Sequence, residues 1–85
     1  MNKIFEDEGW EDILFWSREN RKTLDKIFAL IKDIERNGAA KGIGQPERLK
    51  HYPGWSRRID HKNRLVYKVD GDALYIISCK GHYED

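Results

Sequence analysis

Residues 55–79 read WSRRIDHKNRLVYKVDGDALYIISC, and three segments of this stretch alternate apolar with polar side chains. The segments are residues 55–59, 64–69 and 73–79, and short runs rich in Asp, Asn and Gly separate them. Alternation of this kind, with many aromatic and β-branched residues, is typical of strands. Because both connections are of hairpin length, we predict an antiparallel meander of three strands. Residues 1–5 predict one further short strand.

Two helices are predicted ahead of the meander. Residues 7–16 predict a short first helix with acidic side chains near its N-terminus, where they favour the helix dipole. The second helix follows from apolar residues that recur at helical spacing, namely Leu24, Ile27, Phe28, Ile31 and Ile34. Either Asn20 or Thr23 can cap its start, and Gly38 predicts its end.

These elements predict the fold class α+β, with two N-terminal helices packed on one face of a small twisted antiparallel sheet. A length of 85 residues predicts one domain, residues 1–85. The single Cys79 excludes an internal disulfide, and one thiol with three scattered histidines argues against a zinc site, so we expect no metal and no cofactor. Without a signal peptide or a membrane-length apolar run, we expect a cytoplasmic protein with no membrane partner.

Positive charge is concentrated in residues 48–68, although the net charge of the whole chain is only +1. This stretch has one acidic residue, Asp60, against seven basic ones: Arg48, Lys50, Arg57, Arg58, Lys62, Arg64 and Lys68. Guanidinium groups match phosphate oxygens bidentately, and Trp55 offers a stacking surface for an unpaired base. Alternating charges on a strand also occur on any solvated sheet face, but this excess favours nucleic acid as the partner.

The face of the sheet opposite the helices is the free face. Which arginines lie on it depends on the length of the loop between the first two strands of the meander. A two-residue turn at residues 61–62 would place Arg57 and Arg64 on one side, whereas an odd-length loop would place Arg58 beside Arg64. The alternation of side chains does not choose between the two.

Cleavage of RNA without a metal requires a base for the 2′-hydroxyl proton, cations for the phosphate and an acid for the 5′-oxygen. The chain offers Glu47 beside the basic stretch and His82 near the C-terminus. An isolated glutamate or histidine is more often an ordinary surface residue, so composition alone favours binding over catalysis.

The chain resembles the YoeB/Txe family of bacterial type II toxins, within the RelE-like superfamily of messenger-RNA-cleaving toxins. The resemblance covers nearly the whole length and rests on the order and spacing of several motifs. They are Trp10, Asp12, Leu14 and Trp16; Lys26-Ile27 and Leu30-Ile31-Lys32-Asp33; Gly42-x-Gly44-x-Pro46-Glu47; Leu49-Lys50-His51; Gly54-Trp55-Ser56-Arg57-Arg58-Ile59; Arg64-Leu65-Val66-Tyr67; and His82-Tyr83.

This resemblance implies a ribosome-dependent endoribonuclease that cuts messenger RNA in the A site of the 70S ribosome and leaves a 2′,3′-cyclic phosphate or its opened form. It also implies a cognate antitoxin of the YefM/Axe type, and it leaves a homodimer open because family members are often dimeric.

Site residues carry over from the resemblance position by position. Glu47 corresponds to the general base, His82 to the general acid and Arg64 to the main arginine that stabilises the scissile phosphate. Three further residues correspond to groups that contact the RNA or its phosphates: Lys50, Arg58 and Tyr83. The resemblance favours Arg58 beside Arg64, and it requires the C-terminal tail to return to residues 47–64.

Two departures from the family pattern stand near these positions. The segment between His51 and Trp55 is two residues shorter, and the chain continues past Tyr83 with Glu84 and Asp85. Two other functions use the same basic face, namely a non-catalytic RNA-binding module and a module that receives an acidic partner peptide. Neither of them predicts RNA cleavage on ribosomes.

Overall fold

The computed structural model describes residues 1–82, which form two helices and five strands. In chain order the elements are β1 (Asn2–Phe5), α1 (Asp7–Glu19), α2 (Arg21–Asn37), β2 (Glu47–Arg48), β3 (Trp55–Arg58), β4 (Arg64–Asp70) and β5 (Ala73–Ser78). The strands form one sheet in the order β1-β5-β4-β3-β2. The α+β fold class is confirmed.

The sheet contains the predicted meander and one parallel addition. Strands β3, β4 and β5 pair antiparallel, as expected from the two hairpin-length connections. The predicted first strand is also present, but β1 pairs parallel to β5 and makes the sheet mixed. Residues 6–72 connect these two neighbouring strands, which agrees with the need of parallel strands for a long crossover.

A single residue, Asn20, joins the two helices. Its backbone N–H donates to the Trp16 carbonyl at the end of α1, and its side-chain Oδ1 accepts from the Thr23 backbone N–H at the start of α2. Asn20 is therefore the cap of α2, as one of the two alternatives predicted. Helix α1 continues to Glu19, beyond the predicted residue 16, because the polar residues after Trp16 leave the apolar stripe without breaking the helix.

The core lies between the helices and one face of the sheet. Its fully buried members come from α2, β4, β5 and the residue that follows β5: Ile27, Leu30, Ile34, Leu65, Tyr67, Leu74, Ile76 and Cys79. Burial of a large aliphatic side chain contributes about 1.5–3 kcal/mol, so α2 is the principal helical contributor. Phe28, which the helical spacing assigned to the buried face, is instead 39% exposed, and Leu30 takes that place. Among residues 1–82, no helix is both long and apolar enough to cross a membrane.

Arg57 is fully buried and ties the loop between α2 and β2 to the sheet. Its five N–H donors all have acceptors: the Tyr67 hydroxyl, the Asp33 carboxylate and the carbonyl oxygens of Ile43, Gly38 and Lys41. Because three of the acceptors are backbone carbonyls of residues 38–43, one side chain fixes the path of the chain into β2. Arg57 is thus not on the free face.

Candidate active site

The pairing of β3 with β4 resolves which arginines share the free face. Arg58 lies directly opposite Arg64, and Arg57 lies opposite Leu65 on the helix side. The connecting loop has five residues, 59–63, so its length is odd and the alternative with Arg58 beside Arg64 is the observed one.

A cavity of about 290 Å³ opens on the free face where β2, β3, β4 and residues 79–82, termed the tail, meet. Its lining residues are Glu47, Arg48, Leu49, Lys50, Ser56, Arg64 and His82. Four of the residues to which the sequence assigned a role therefore come together, namely Glu47, Lys50, Arg64 and His82. Arg58 is on the same face but does not line the cavity, and Tyr83 lies outside the described residues.

Arg64 has an unused donor in this cavity. Its Nε donates to the Ser56 hydroxyl at 3.0 Å, which orients the guanidinium group. Its Nη2 is buried, and no atom of residues 1–82 accepts a hydrogen bond from it. Because an unpaired buried donor is costly, this nitrogen is suited to an acceptor that arrives with a ligand, such as a phosphate oxygen.

Glu47 forms only a loose ion pair with that nitrogen. Its Oε2 lies 3.7 Å from Arg64 Nη2, and 67% of the Glu47 side chain is exposed to solvent. Because the carboxylate is mostly in solvent and the two atoms are far apart for an ion pair, the pair contributes at most about 1 kcal/mol to stability. The carboxylate is therefore close to the guanidinium group but remains exposed to solvent at the cavity.

The described part of the tail, residues 79–82, lies beside the loop of residues 59–63. The Gly81 N–H donates to Asn63 Oδ1 at 2.8 Å, and the Arg64 N–H donates to the Gly81 carbonyl at 3.1 Å. His82 Nε2 lies 3.3 Å from the His61 carbonyl oxygen, and because a carbonyl can only accept, that nitrogen is the donor. The tail is thus placed as the predicted site requires.

Ser56 and Asn63 are contributors that the sequence reasoning missed. Ser56 lies two residues before Arg58 on β3, so the alternation placed it on the same face as the predicted cations. The alternation gives the face of Ser56 but not its role, since a serine on a strand carries no charge that would indicate a phosphate-binding site. Asn63 had no comparable signal, because its partner Gly81 lies 18 residues away.

Other chemistry on the described part of the chain is limited. Burial raises the pKa of the Cys79 thiol to about 12, with Asp12 and Glu8 adding to the shift, so this sulfur stays protonated and inert. Within residues 1–82, no group of three or more His, Cys, Asp or Glu side chains is arranged to hold a metal ion.

Comparisons with known proteins give the family. Residues 5–83 match the family described as "YoeB-like toxin of bacterial type II toxin-antitoxin system". Toxin YoeB of Escherichia coli strain K12 is 44% identical, over 98% of this chain and 100% of that protein. A YoeB dimer from Staphylococcus aureus is structurally similar, with a TM-score of 0.93 and 45% identity over 98% of each chain.

A YoeB-YefM complex from Staphylococcus aureus contains a chain with the same architecture, with a TM-score of 0.90 and 46% identity over 98% of both chains. The match to the family spans nearly the whole chain and agrees with the motifs that carried the resemblance. This chain therefore belongs to the YoeB-like toxins of bacterial type II toxin–antitoxin systems.

Proposed function

We propose that this toxin is a ribosome-dependent, metal-free endoribonuclease that cleaves messenger RNA in the ribosomal A site. The observation that carries the proposal is the cavity in which Glu47, Arg64 and His82 meet, with Arg64 Nη2 lacking an acceptor among residues 1–82. These side chains are a carboxylate, a cation and an imidazole, the three kinds of group that cleavage by an internal hydroxyl requires.

In the proposed reaction the 2′-oxygen of the RNA attacks the adjacent phosphorus. Glu47 accepts the 2′-hydroxyl proton as the new oxygen–phosphorus bond forms. The bond from phosphorus to the 5′-oxygen then breaks, and His82 donates a proton to that oxygen. The products are an upstream fragment with a 2′,3′-cyclic phosphate and a downstream fragment with a 5′-hydroxyl, and no water is consumed. Glu47 has then gained a proton and His82 has lost one, and both exchange protons with solvent before the next turnover.

The cations around the phosphate stabilise the negative charge that develops on its oxygens. Arg64 Nη2 donates to a non-bridging oxygen, on which negative charge grows as the attack proceeds. Removing one such donor from an active site typically costs about 10²–10³ in rate. Lys50 at the rim of the cavity, Arg58 across from Arg64, and Tyr83 complete the proposed set of residues that contact the RNA.

Dependence on the ribosome follows from the openness of the site. With two thirds of the Glu47 side chain exposed, solvent screens much of the electrostatic advantage that a closed site would provide. Correct placement of the attacking oxygen and the phosphate must then come from outside, and such placement can lower a barrier by several kcal/mol, on the order of 7–11 in the best cases. A messenger held in the A site supplies it.

The proposed partners are a YefM-like antitoxin and a second copy of the toxin. The support is similarity to the YoeB chains of the Staphylococcus aureus YoeB-YefM complex and YoeB dimer. An apolar groove between β1 and α2, lined in part by Phe5, Phe28 and Ile31, is accessible to such a partner. The proposed place of action is the cytoplasm, where the translating ribosomes are.

Transcripts from a reconstituted bacterial translation reaction, mapped by primer extension, test the function. The wild-type toxin should cut within codons only when ribosomes are present. Glu47→Ala and His82→Ala should each slow cleavage by about 10²–10⁴, the usual contribution of a general base or acid. Both variants should still sediment with ribosomes.

Two substitutions outside the cavity serve as controls. Glu19→Ala removes an exposed carboxylate at the end of α1, and His61→Ala removes an exposed ring while keeping the carbonyl that contacts His82. Both should cut within about twofold of wild type, an effect of well under 1 kcal/mol. Undiminished cutting by Glu47→Ala and His82→Ala would refute the acid–base roles, and absence of ribosome-dependent cutting by the wild type would favour a binding module.

A further inference from the structure

The loop of residues 59–63 is organised by the carboxylate of Asp60. Its Oδ1 accepts from the backbone N–H groups of Lys62 and Asn63, each at 2.8 Å. The Asn63 side-chain amide donates to the same carboxylate, at 3.0 Å to Oδ1 and 3.1 Å to Oδ2. An aspartate that closes a turn in this way fixes the turn's shape without help from distant parts of the chain.

The contact with Asp60 decides which way the Asn63 amide faces. An ionised carboxylate can only accept, so the NH₂ end of the amide must point to Asp60 and its oxygen must point away. That oxygen accepts the Gly81 N–H at 2.8 Å. The next residue, Arg64, donates its backbone N–H to the Gly81 carbonyl at 3.1 Å. Both polar groups of Gly81 are thus held by two consecutive residues.

A second attachment lies just upstream on the tail. Asp12 Oδ2 accepts the Cys79 N–H at 2.9 Å, and the Trp16 indole N–H donates to the Cys79 carbonyl at 2.9 Å. Only Lys80 separates these two attachments. The backbone is therefore fixed at Cys79 and at Gly81, and His82 follows directly after the second fixed point.

We propose that Asn63 is a positioning residue for the toxin's RNA cleavage: by holding Gly81, it keeps His82 in the cavity at a set distance from Arg64. Asp60 acts indirectly, because it orients the Asn63 amide. The inference rests on the proposed function, because it assigns Asn63 its effect through His82. Asn63 thereby sets the position of the proposed general acid, His82, relative to the phosphate-binding Arg64.

Hydrogen exchange of the Gly81 amide tests the geometry without any reference to activity. In the wild type the Gly81 amide should exchange slowly. In Asn63→Ala it should exchange faster, although the variant should melt close to the wild-type temperature. Asn37→Ala is the matched control, because Asn37 also donates its amide to an aspartate, Asp33 at 2.8 Å, away from the cavity. Unchanged Gly81 protection in Asn63→Ala would overturn the inference.

A double-mutant cycle on the single-turnover cleavage rate tests the link to His82. Asn63→Ala alone should slow cleavage about 10- to 100-fold, as expected when a catalytic group is displaced by about 1 Å. In the His82→Ala background the same substitution should cost less than about twofold, since groups that act as a unit are not additive. An equal loss in both backgrounds would overturn the inference, whereas a His82→Ala variant as fast as wild type would refute the proposed function instead.

A compensating pair of substitutions distinguishes loss of the contact between residues 60 and 63 from misfolding. Asn63→Asp alone sets two carboxylates against each other and should slow cleavage. Asn63→Asp combined with Asp60→Asn restores one amide and one carboxylate in reversed order, and leaves an oxygen for the Gly81 N–H. The pair should recover the rate to within about threefold of wild type, a difference of less than 1 kcal/mol. Failure of a folded pair to recover would contradict the proposed orientation.

Discussion

Arg57 and Arg64 are both largely buried arginines of neighbouring strands, yet they serve different ends. Arg57 has an acceptor for each of its five N–H donors, and all five lie within the protein. Arg64 donates from its Nε to the Ser56 hydroxyl, and its Nη2 has no hydrogen-bond acceptor within residues 1–82. Burial does not distinguish the two. The two differ in whether their N–H donors have acceptors. Arg57, with every donor paired, stabilises the fold, whereas Arg64 keeps a donor for a ligand.

Arg57→Met should have the largest effect on stability. It leaves the Asp33 carboxylate, the Tyr67 hydroxyl and three loop carbonyls without their donor, and breaking a buried charged network typically costs about 3–5 kcal/mol. Urea denaturation should show this loss in the free energy of unfolding. Arg57→Lys should recover little, since an ammonium group has three donors and cannot reproduce the planar fork. A loss below about 1 kcal/mol would remove Arg57 as the anchor of the loop.

Arg64→Ala should show the opposite profile. The cleavage rate should fall by about 10²–10³, the usual cost of losing a donor to a developing oxyanion. The free energy of unfolding should fall by no more than about 1 kcal/mol, because the Ser56 contact and the exposed Glu47 pair are weak supports. Stopped reactions on ribosomes and urea denaturation of the same preparation measure both. A large stability loss with a normal rate would make Arg64 a second structural arginine.

Gly42→Ala should weaken the Arg57 network from the loop side. The backbone of Gly42 has φ +123°, and a β-carbon there would overlap Asp33 Oδ2. We expect a loss of about 1–3 kcal/mol from the backbone alone, with a further loss from displacing Asp33. Gly71→Ala is the matched control, since Gly71 has φ +61° but open space around it. Equal losses in the two variants would show that the Asp33 contact does not matter.

The sequence predicted the elements better than the contacts between them. Helical spacing located α2 and period-two alternation located the meander, because both patterns are local. The fate of Arg57 was not predictable in this way, since its acceptors include backbone carbonyls of a loop, which have no side-chain signature. Phe28 was misplaced because residues 27, 28, 30 and 31 all lie near one side of a helix, and only the position of the sheet decides which of them is buried.

The site shows the same limit. Glu47, Arg64 and His82 come from β2, β4 and the tail, so no spacing rule brings them together, and the resemblance to the toxin family was needed to select them. The choice between Arg57 and Arg58 depended on the length of one loop, which Asp60 closes at five residues. The pairing of Arg58 with Arg64 follows from that closure.

The smallest expected effect is a dependence of stability on acid pH. The Arg57 hydrogen bond, with help from the Ile43 N–H and Asn37, lowers the pKa of Asp33 below its ordinary value of 3.8. Partial burial alone would raise the pKa of Asp60, but the hydrogen bonds from Lys62 and Asn63 outweigh it and lower this pKa as well. The folded state then binds fewer protons than the unfolded state.

The stabilisation from both carboxylates is therefore fully present above pH 3.8 and is lost as the pH falls below it through their lowered values. Denaturation curves measured in steps from pH 5 to pH 2 should show this decline, and Asp60→Asn should make it shallower. A variant with an unchanged slope would mean that Asp60 contributes nothing to the acid response.

The ends of the cleaved RNA test the central claim most directly, because they record which oxygen attacked the phosphorus. Transcripts cut by the wild-type toxin on ribosomes should carry a 2′,3′-cyclic phosphate, or the monophosphate that it opens to, on the upstream fragment and a 5′-hydroxyl on the downstream fragment. A 3′-hydroxyl upstream with a 5′-phosphate downstream would mean that water is the nucleophile, and it would contradict the roles proposed for Glu47, Arg64 and His82.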